Sequence, residues 1–266
     1  MMCILNQTVF SGRVVSRFKR IVCPGFSQAG LALILLLMLP VLHAEPVLIF
    51  NQTAQAPLNT EHQDGFVDEL LREALKRVGY KIIIQRLPAE RGLRNANAGL
   101  IDGEMTRVKG IEKLYPNLVR IPEKIMDWEF CVFSRKTIPM KAGWESLVNK
   151  EVAFITGWKI LEKNVPASAS VTRTRSSEQL FTLLKINRTD FIIYERWGGN
   201  RTVLNMKLSK VRMLKPCLVT REMYSYIHKK HKLLVPLIAR SLREMKKDGS
   251  YSKLAKKHLK RLNRSH

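Results

Sequence analysis

The stretch that most constrains the fold is Pro88 to Val108, PAERGLRNANAGLIDGEMTRV, where a helix hands the chain directly to a strand. Pro88 suits the first helical turn, because the N–H it lacks is one no helix uses, and Gly99 suits the left-handed residue just past the last turn. An apolar strand is expected from Leu100 to Thr106 and Arg107. The pattern returns in SSEQLFTLLKINRTDFIIYERWGG, which begins at Ser176. There Ser176 and Gln179 stand at capping-box spacing, Asn187 falls near the left-handed position, and Asp190 leads an apolar strand into Glu195. Two such units predict two similar lobes.

The chain has 266 residues, 45% of them hydrophobic, enough for one large domain or two moderate ones. Its formal charge of +24 is unevenly spread: residues 201 to 266 hold nineteen Lys or Arg against three acids, and residues 1 to 44 hold four and none. A basic C-terminal region of this kind usually reads as a solvated surface, and less often as a polyanion-binding face for nucleic acid, anionic lipid or acidic envelope polymers. Nucleic acid is not an expected partner. Arg13, Arg17, Lys19 and Arg20 precede the apolar run Leu31 to Leu42, and a small residue, Ala44, closes the segment. Residues 1 to 44 therefore read as a secretory signal peptide, which places the rest in the periplasm. The run is shorter than the roughly 20 residues of a membrane span, although the basic region before it leaves room for an uncleaved anchor. Cys23 precedes the run, so it does not sit where a lipoprotein cysteine would. Cleavage would leave Cys131 and Cys217 in an oxidising compartment, where two cysteines allow one disulfide.

Pro46 to Phe50 reads as a strand, and the polar loop from Asn51 to Asp64 leaves its C-terminal end, a favourable place for a ligand. Phe66, Val67, Leu70, Leu71, Ala74, Leu75 and Val78 fall at helical spacing, and Gly79 ends the run. Tyr80 to Leu87 is β-rich, so strand and helix alternate as far as Met105, which predicts α/β lobes with largely parallel sheets. Strands are expected over Asp127 to Ser134 and Glu151 to Ile155. The second is followed by the turn Thr156-Gly157-Trp158 and a helix from about Lys159, whose free N–H groups suit an anion. Val211 to Val219 reads as a further strand, Tyr224 to Lys247 as an amphipathic helix, and Tyr251 to Leu262 as another. His228 and His231 then share a helix face at the spacing of a metal pair. With no third ligand they read as solvated, and neither metal nor cofactor is expected.

The order and spacing of GFVDELLREALKRVGY, NANAGLIDG, VAFITGW, NRTDFIIYE and HKLLVPLIARSLREMKKDGSYSKLAKKH resemble the periplasmic solute-binding proteins of the amino-acid-binding type, the receptors of ABC importers. The resemblance covers nearly all of residues 45 to 262. It implies the two-lobed, type II periplasmic-binding-protein fold, with hinge crossings near Arg135 to Gly143 and Lys210 to Lys215. Lobe one would comprise residues 45 to 136 and 216 to 266, and lobe two residues 137 to 215. It implies a monomer that binds a small solute and passes it to an ABC permease. Because the family's crossing strands run side by side, it also brings Cys131 and Cys217 within bonding reach.

The same resemblance marks the site. Glu195, five residues beyond Asp190, is similar to the family's amine-binding acid, and Arg107 would supply the planar fork that holds a carboxylate. Thr106, Gly157, Trp158 and Asn51 complete the expected ligand set. Trp158 stands where the family has a threonine after the glycine, and Arg107 follows Asp102 sooner than the family's arginine does, so a small polar or zwitterionic solute is the expectation. Other readings of these residues stay open. Arg107 would serve equally in lobe packing, Glu195 in pairing with Arg196 or Arg201, and Trp128, Trp158 and Trp197 in burial as well as stacking. Asp102 and Asp190 most resemble turn-capping aspartates. The competing functions are a dehydratase-like periplasmic enzyme on the same fold, with Glu195 as its acid or base, and a basic envelope protein that binds polyanions. No nucleophile elbow, phosphate loop or zinc spacing is present, and the signal peptide together with the resemblance puts a binding protein ahead of an enzyme.

Overall fold

A computed structural model describes residues 45–259 of the chain. The expected signal peptide, Cys23 and the end of the last helix at Leu262 lie outside the described residues.

The chain opens with β1 (Val47–Gln52), α1 (Phe66–Lys76), β2 (Lys81–Arg86), α2 (Ala89–Asn97) and β3 (Gly103–Val108). In α1 the apolar positions found by helical spacing are buried, and the Asp68 carboxylate at its third position accepts from the Gly65 N–H at 3.0 Å, closing the start of the helix. Pro88 sits at the N-cap of α2, one place before the first turn, and Gly99 takes φ +76° past its end. The strand expected from Leu100 starts three residues later. Leu100 stands exposed in the turn while the Asp102 carboxylate accepts from the Ile49 N–H, so this turn is fastened to β1 before pairing begins.

β4 (Leu118–Ser134) is far longer than the expected Asp127–Ser134 strand. Its first part carries Pro122 and irregular pairing, which hid it from an alternation test. After it come β5 (Glu151–Ile155), α3 (Lys159–Asn164), β6 (Ser170–Thr174), α4 (Ser177–Lys185), β7 (Phe191–Glu195) and α5 (Arg196–Asn205). β6 has no sequence signature, since four of its five residues are exposed, and α5 carries Gly198 and Gly199 in its first turn, which disguise a helix. The chain ends with β8 (Arg212–Met213), β9 (Val219–His228), α6 (Val235–Lys247) and α7 (Ser250–Leu259).

Two expectations fail in this last part. Val211 to Val219 is mostly loop, and the helix expected from Tyr224 starts only at Val235, because Met223, Ser225, Tyr226 and Ile227 belong to a buried strand between β3 and β4. Over 224–228 the helical spacing is overridden by the two neighbours waiting to pair, and Lys229–Leu234 forms a 3-10 helix before α6 begins. His228 and His231 therefore share no helix face. His228 ends β9 and accepts from the Lys230 N–H, and His231 lies 2.7 Å from Asp102.

The sheet order is β2-β1-β3-β9-β4-β7-β5-β6, with β8 beside β4. The outer pairs β1–β2, β1–β3, β5–β6 and β5–β7 are parallel, as helix-strand alternation requires, and the central pairs are antiparallel. β4 carries the chain from one section to the other by pairing with β9 over its first part and with β7 over Phe130–Ser134. The return path runs alongside it, Leu214 N donating to Val132 O and Leu218 N to Phe130 O, both at 2.8 Å. Cys131 on β4 and Cys217 on the return path are disulfide-bonded, with Cα atoms 4.2 Å apart. α6 and α7 pack on α1, and one core cluster extends through both sections.

Candidate functional site

The C-terminal ends of β1, β2, β3, β5 and β6 converge on a cleft, where ligands of open α/β sheets collect. Its inner cavity is lined by Thr106, Arg107, Trp128, Phe130, Gly157 and Trp158 among others, and has a volume of about 20 Å³, room for a water-sized molecule. Its outer cavity, about 410 Å³, is lined by Gln52, Gln55, Arg86, Arg175, Ser177 and Glu178 among others, and is of ligand size. Thr53 and Trp158 line both, so Trp158 stands as the partition between them.

Arg107 reaches this place through a break in β3. Residues three apart on a regular strand point to opposite faces, but the pairing of β3 with β9 slips between Glu104 and Arg107 and brings both side chains to one side. The Arg107 guanidinium lies 2.7 Å from the Glu104 carboxylate, both buried. Asn51, opposite Glu104 in the parallel ladder, donates to the same carboxylate at 3.0 Å and accepts from the Leu87 N–H. Burial pushes the Glu104 carboxyl above its ordinary value, against the Arg107 charge that holds it down. The arginine's remaining donors go to the carbonyls of Ala89 at 2.9 Å and Gly157 at 3.4 Å. Its fork is thus already engaged from both sides of the cleft.

Gly157 is required by geometry. It takes φ +88°, and a Cβ there would stand 2.4 Å from the Glu90 nitrogen. The N–H groups of the turn itself are engaged, Thr156 N donating to Thr174 O, Trp158 N to Ile155 O, and Gly157 N to the Glu162 carboxylate at 2.7 Å, while Lys159 and Ile160 of the first helical turn line the inner cavity. Trp158 stacks on Tyr194, with ring centroids 4.7 Å apart, and meets Trp128 and Phe130 at wider angles. Lys159 then crosses the cleft to Glu90 at 2.7 Å while also pairing with Glu162. Desolvation works against its charge, but these two carboxylates hold the ammonium well above its ordinary range. Gln55 donates to Ser177 at 2.6 Å farther out, so the two sides touch at several points.

The cleft brings together Arg107, Thr106, Gly157 and Trp158. Asn51 and Glu195 are not among the residues lining either cavity. Asn51 orders Glu104 from behind. Glu195 caps α5, accepting from the N–H groups of Trp197 and Gly198. Burial pushes its carboxyl up to about 8, opposed by those two donors. Trp197 lines neither cavity, whereas Trp128 does. Gln52 and Gln55 fall in the Asn51–Asp64 loop that the sequence marks as a favourable place for a ligand, though neither was singled out, and Arg86, Arg175 and Ser177 were missed. The signal was available for Arg86, which lies at the end of strand β2, but Arg175 and Ser177 follow β6, which the sequence does not reveal.

No protein-family model matches the chain. A protein of Shewanella oneidensis described only as uncharacterized is 24% identical over 191 residues, covering 68% of this chain and 70% of its own. Among solved structures, a mutant of ArgBP from T. maritima superposes with a TM-score of 0.69 at 21% identity, covering 80% of this chain and 94% of that one. An ancestral arginine-binding protein bound to glutamine gives 0.69 at 19%, covering 82% and 99%. The fold is that of the two-lobed periplasmic amino-acid-binding proteins. A histidine kinase sensor domain with similarity to periplasmic binding proteins shares it, with a TM-score of 0.68 at 16% identity and coverage of 82% and 97%. In this chain Arg107 reaches the cleft from the end of β3, and the Gly157-Trp158 turn reaches it from the end of β5.

Proposed function

We propose that the protein is a periplasmic solute-binding receptor whose lobes close by hinge motion on a small polar or amino-acid-like solute, for delivery to an ABC importer. The observation that carries this reading is a set of buried polar atoms without protein partners in one cleft: Thr106 Oγ1 and Trp128 Nε1 on residues of the inner cavity, and Gln52 Oε1 on one of the outer cavity. Buried polar groups are nearly always hydrogen-bonded, so these three, on residues of two adjoining cavities, suit a solute that supplies both donor and acceptor when the cleft rearranges around it. The neighbours named for arginine and glutamine support a ligand of this class. In this reading lobe one is residues 45–136 with 216–266, lobe two is residues 137–215, and residues 1–44 direct export of a monomer. Glu195, the acid that an enzymatic reading needs, is committed to capping α5 outside the cavities, which favours binding over turnover.

A thermal-shift screen of the chain against small solutes tests the reading. A ligand selective for the folded form at a hundred times its dissociation constant adds about 2.7 kcal/mol of stability. Saturable stabilisation without product formation is expected. A screen that finds turnover of a solute, or no stabilising solute among amino acids and their polar relatives, overturns it.

A further inference from the structure

Outside the two cavities, three loops of the first lobe are fastened to one another. Lys230 Nζ donates to Gly99 O at 3.0 Å, His231 and Lys230 both pair with Asp102, Lys229 N donates to Asn117 O, and Asn117 bonds twice to Asn97. Among the described residues, the three most exposed large apolar side chains lie on these loops: Leu233 at 79%, Leu100 at 72% and Leu114 at 64%. Exposed leucines scattered singly need no explanation, but three on interlocked loops form a surface feature.

The charges around them have one sign. Lys113, Lys229 and Lys232 are exposed, and no acid occurs between Met223 and Arg243. The two nearby acids are turned inward: Asp102 is held by the Ile49 N–H, Lys230 and His231, and Glu112 by the Tyr226 hydroxyl and the Gly110 N–H. A second copy of a chain carrying +24 would bring like charges together here. Leucines standing among exposed lysines match instead a surface that is apolar below and anionic above.

We propose that the Leu100, Leu114 and Leu233 loops form a docking surface for an anionic lipid bilayer, with the leucines entering the acyl boundary and Lys113, Lys229 and Lys232 lying at the phosphates. Leu100 and Leu233 sit beside the start of β3 and the end of antiparallel β9, opposite the end of β3 that enters the cleft, and Leu114 lies three residues past Ile111 of the inner cavity; none of the three leucines lines either cavity, so docking leaves the outer cavity accessible.

The test is sedimentation with phosphatidylglycerol-containing vesicles and with pure phosphatidylcholine vesicles. It uses the chain from Glu45 onward, a compact unit that contains every described strand and helix, so that the apolar run before it does not contribute. Binding to the anionic vesicles alone, weakened by salt, is expected. Leu100→Asp with Leu233→Asp should lower the partition coefficient at least about tenfold, and Lys229→Glu with Lys232→Glu at least about twenty-five-fold, since each lysine at an anionic surface is worth about fivefold. Unchanged unfolding midpoints identify the variants as folded. Three results overturn the proposal: no binding to anionic vesicles, binding lost in the lysine variant but unchanged in the leucine variant, or a dimer abolished by the leucine substitutions.

Discussion

At the scale of single residues, Arg107 holds the charge of Glu104 inside the protein. Both are buried, and the Asn51 amide and the arginine are the carboxylate's bonding partners. Arg107→Ala leaves a buried carboxylate without its counter-charge, and we expect a loss of about 3–5 kcal/mol in urea unfolding. Adding Glu104→Gln should recover most of that loss. A single-substitution cost near the roughly 1 kcal/mol of a surface pair would mean that the pair does not act as a buried unit. Glu195 behaves differently, since backbone N–H groups, not a cation, bond its carboxylate. Its folded value of about 8 stands above the ordinary 4.5, so folding favours the protonated form. The stability it contributes is complete below about pH 4.5 and is lost as pH rises towards 8. Glu104 and Asp68, also raised by burial, act with the same sign. The thermal midpoint should therefore fall between pH 5 and pH 8, and Glu195→Gln should flatten that decline. Equal slopes in the two proteins would remove Glu195 from this account.

At the scale of elements, the turn from Thr156 to Lys159 decides how closely the lobes meet. Its glycine admits the Ala89-Glu90 backbone, its tryptophan fills the space between the two cavities, and its lysine crosses to Glu90. Gly157→Ala combines a left-handed backbone that side chains avoid with a Cβ 2.4 Å from a backbone nitrogen, which no side-chain rotation relieves. The substitution should hold the lobes apart, giving a larger radius of gyration by small-angle scattering in the absence of solute. A radius equal to the parent's would show that the strain is absorbed within the turn.

At the scale of the whole molecule, β4 and the return path are the two connections between the lobes, and the Cys131–Cys217 bond ties one to the other. It closes a loop with a sequence separation of 86 residues, which in the loop-entropy description constrains the unfolded chain by about 4–5 kcal/mol. Reduction should lower the denaturation midpoint accordingly, and a midpoint indifferent to reductant would show that the bond adds nothing to stability.

What the sequence determined by itself was whatever short-range physics encodes. The spacing of Phe66 to Leu75 specified α1, the glycine at 99 and the asparagine at 187 specified helix ends with φ of +76° and +59°, and the Ser176 hydroxyl capped α4 by accepting from Gln179 N. The alternation of such units was enough for an α/β fold with parallel outer strands. Only the tertiary structure decided that Tyr224 to His228 would be strand, because that stretch gains its ladder from β3 and β4, which are distant in the chain. It also decided which site residues meet. The slip in β3 turned Arg107 towards Glu104, and the unpatterned strand β6 carried Arg175 and Ser177 to the cleft rim. Neither a register slip nor an exposed strand leaves a periodic trace in sequence, since both are set by partners the chain meets only on folding.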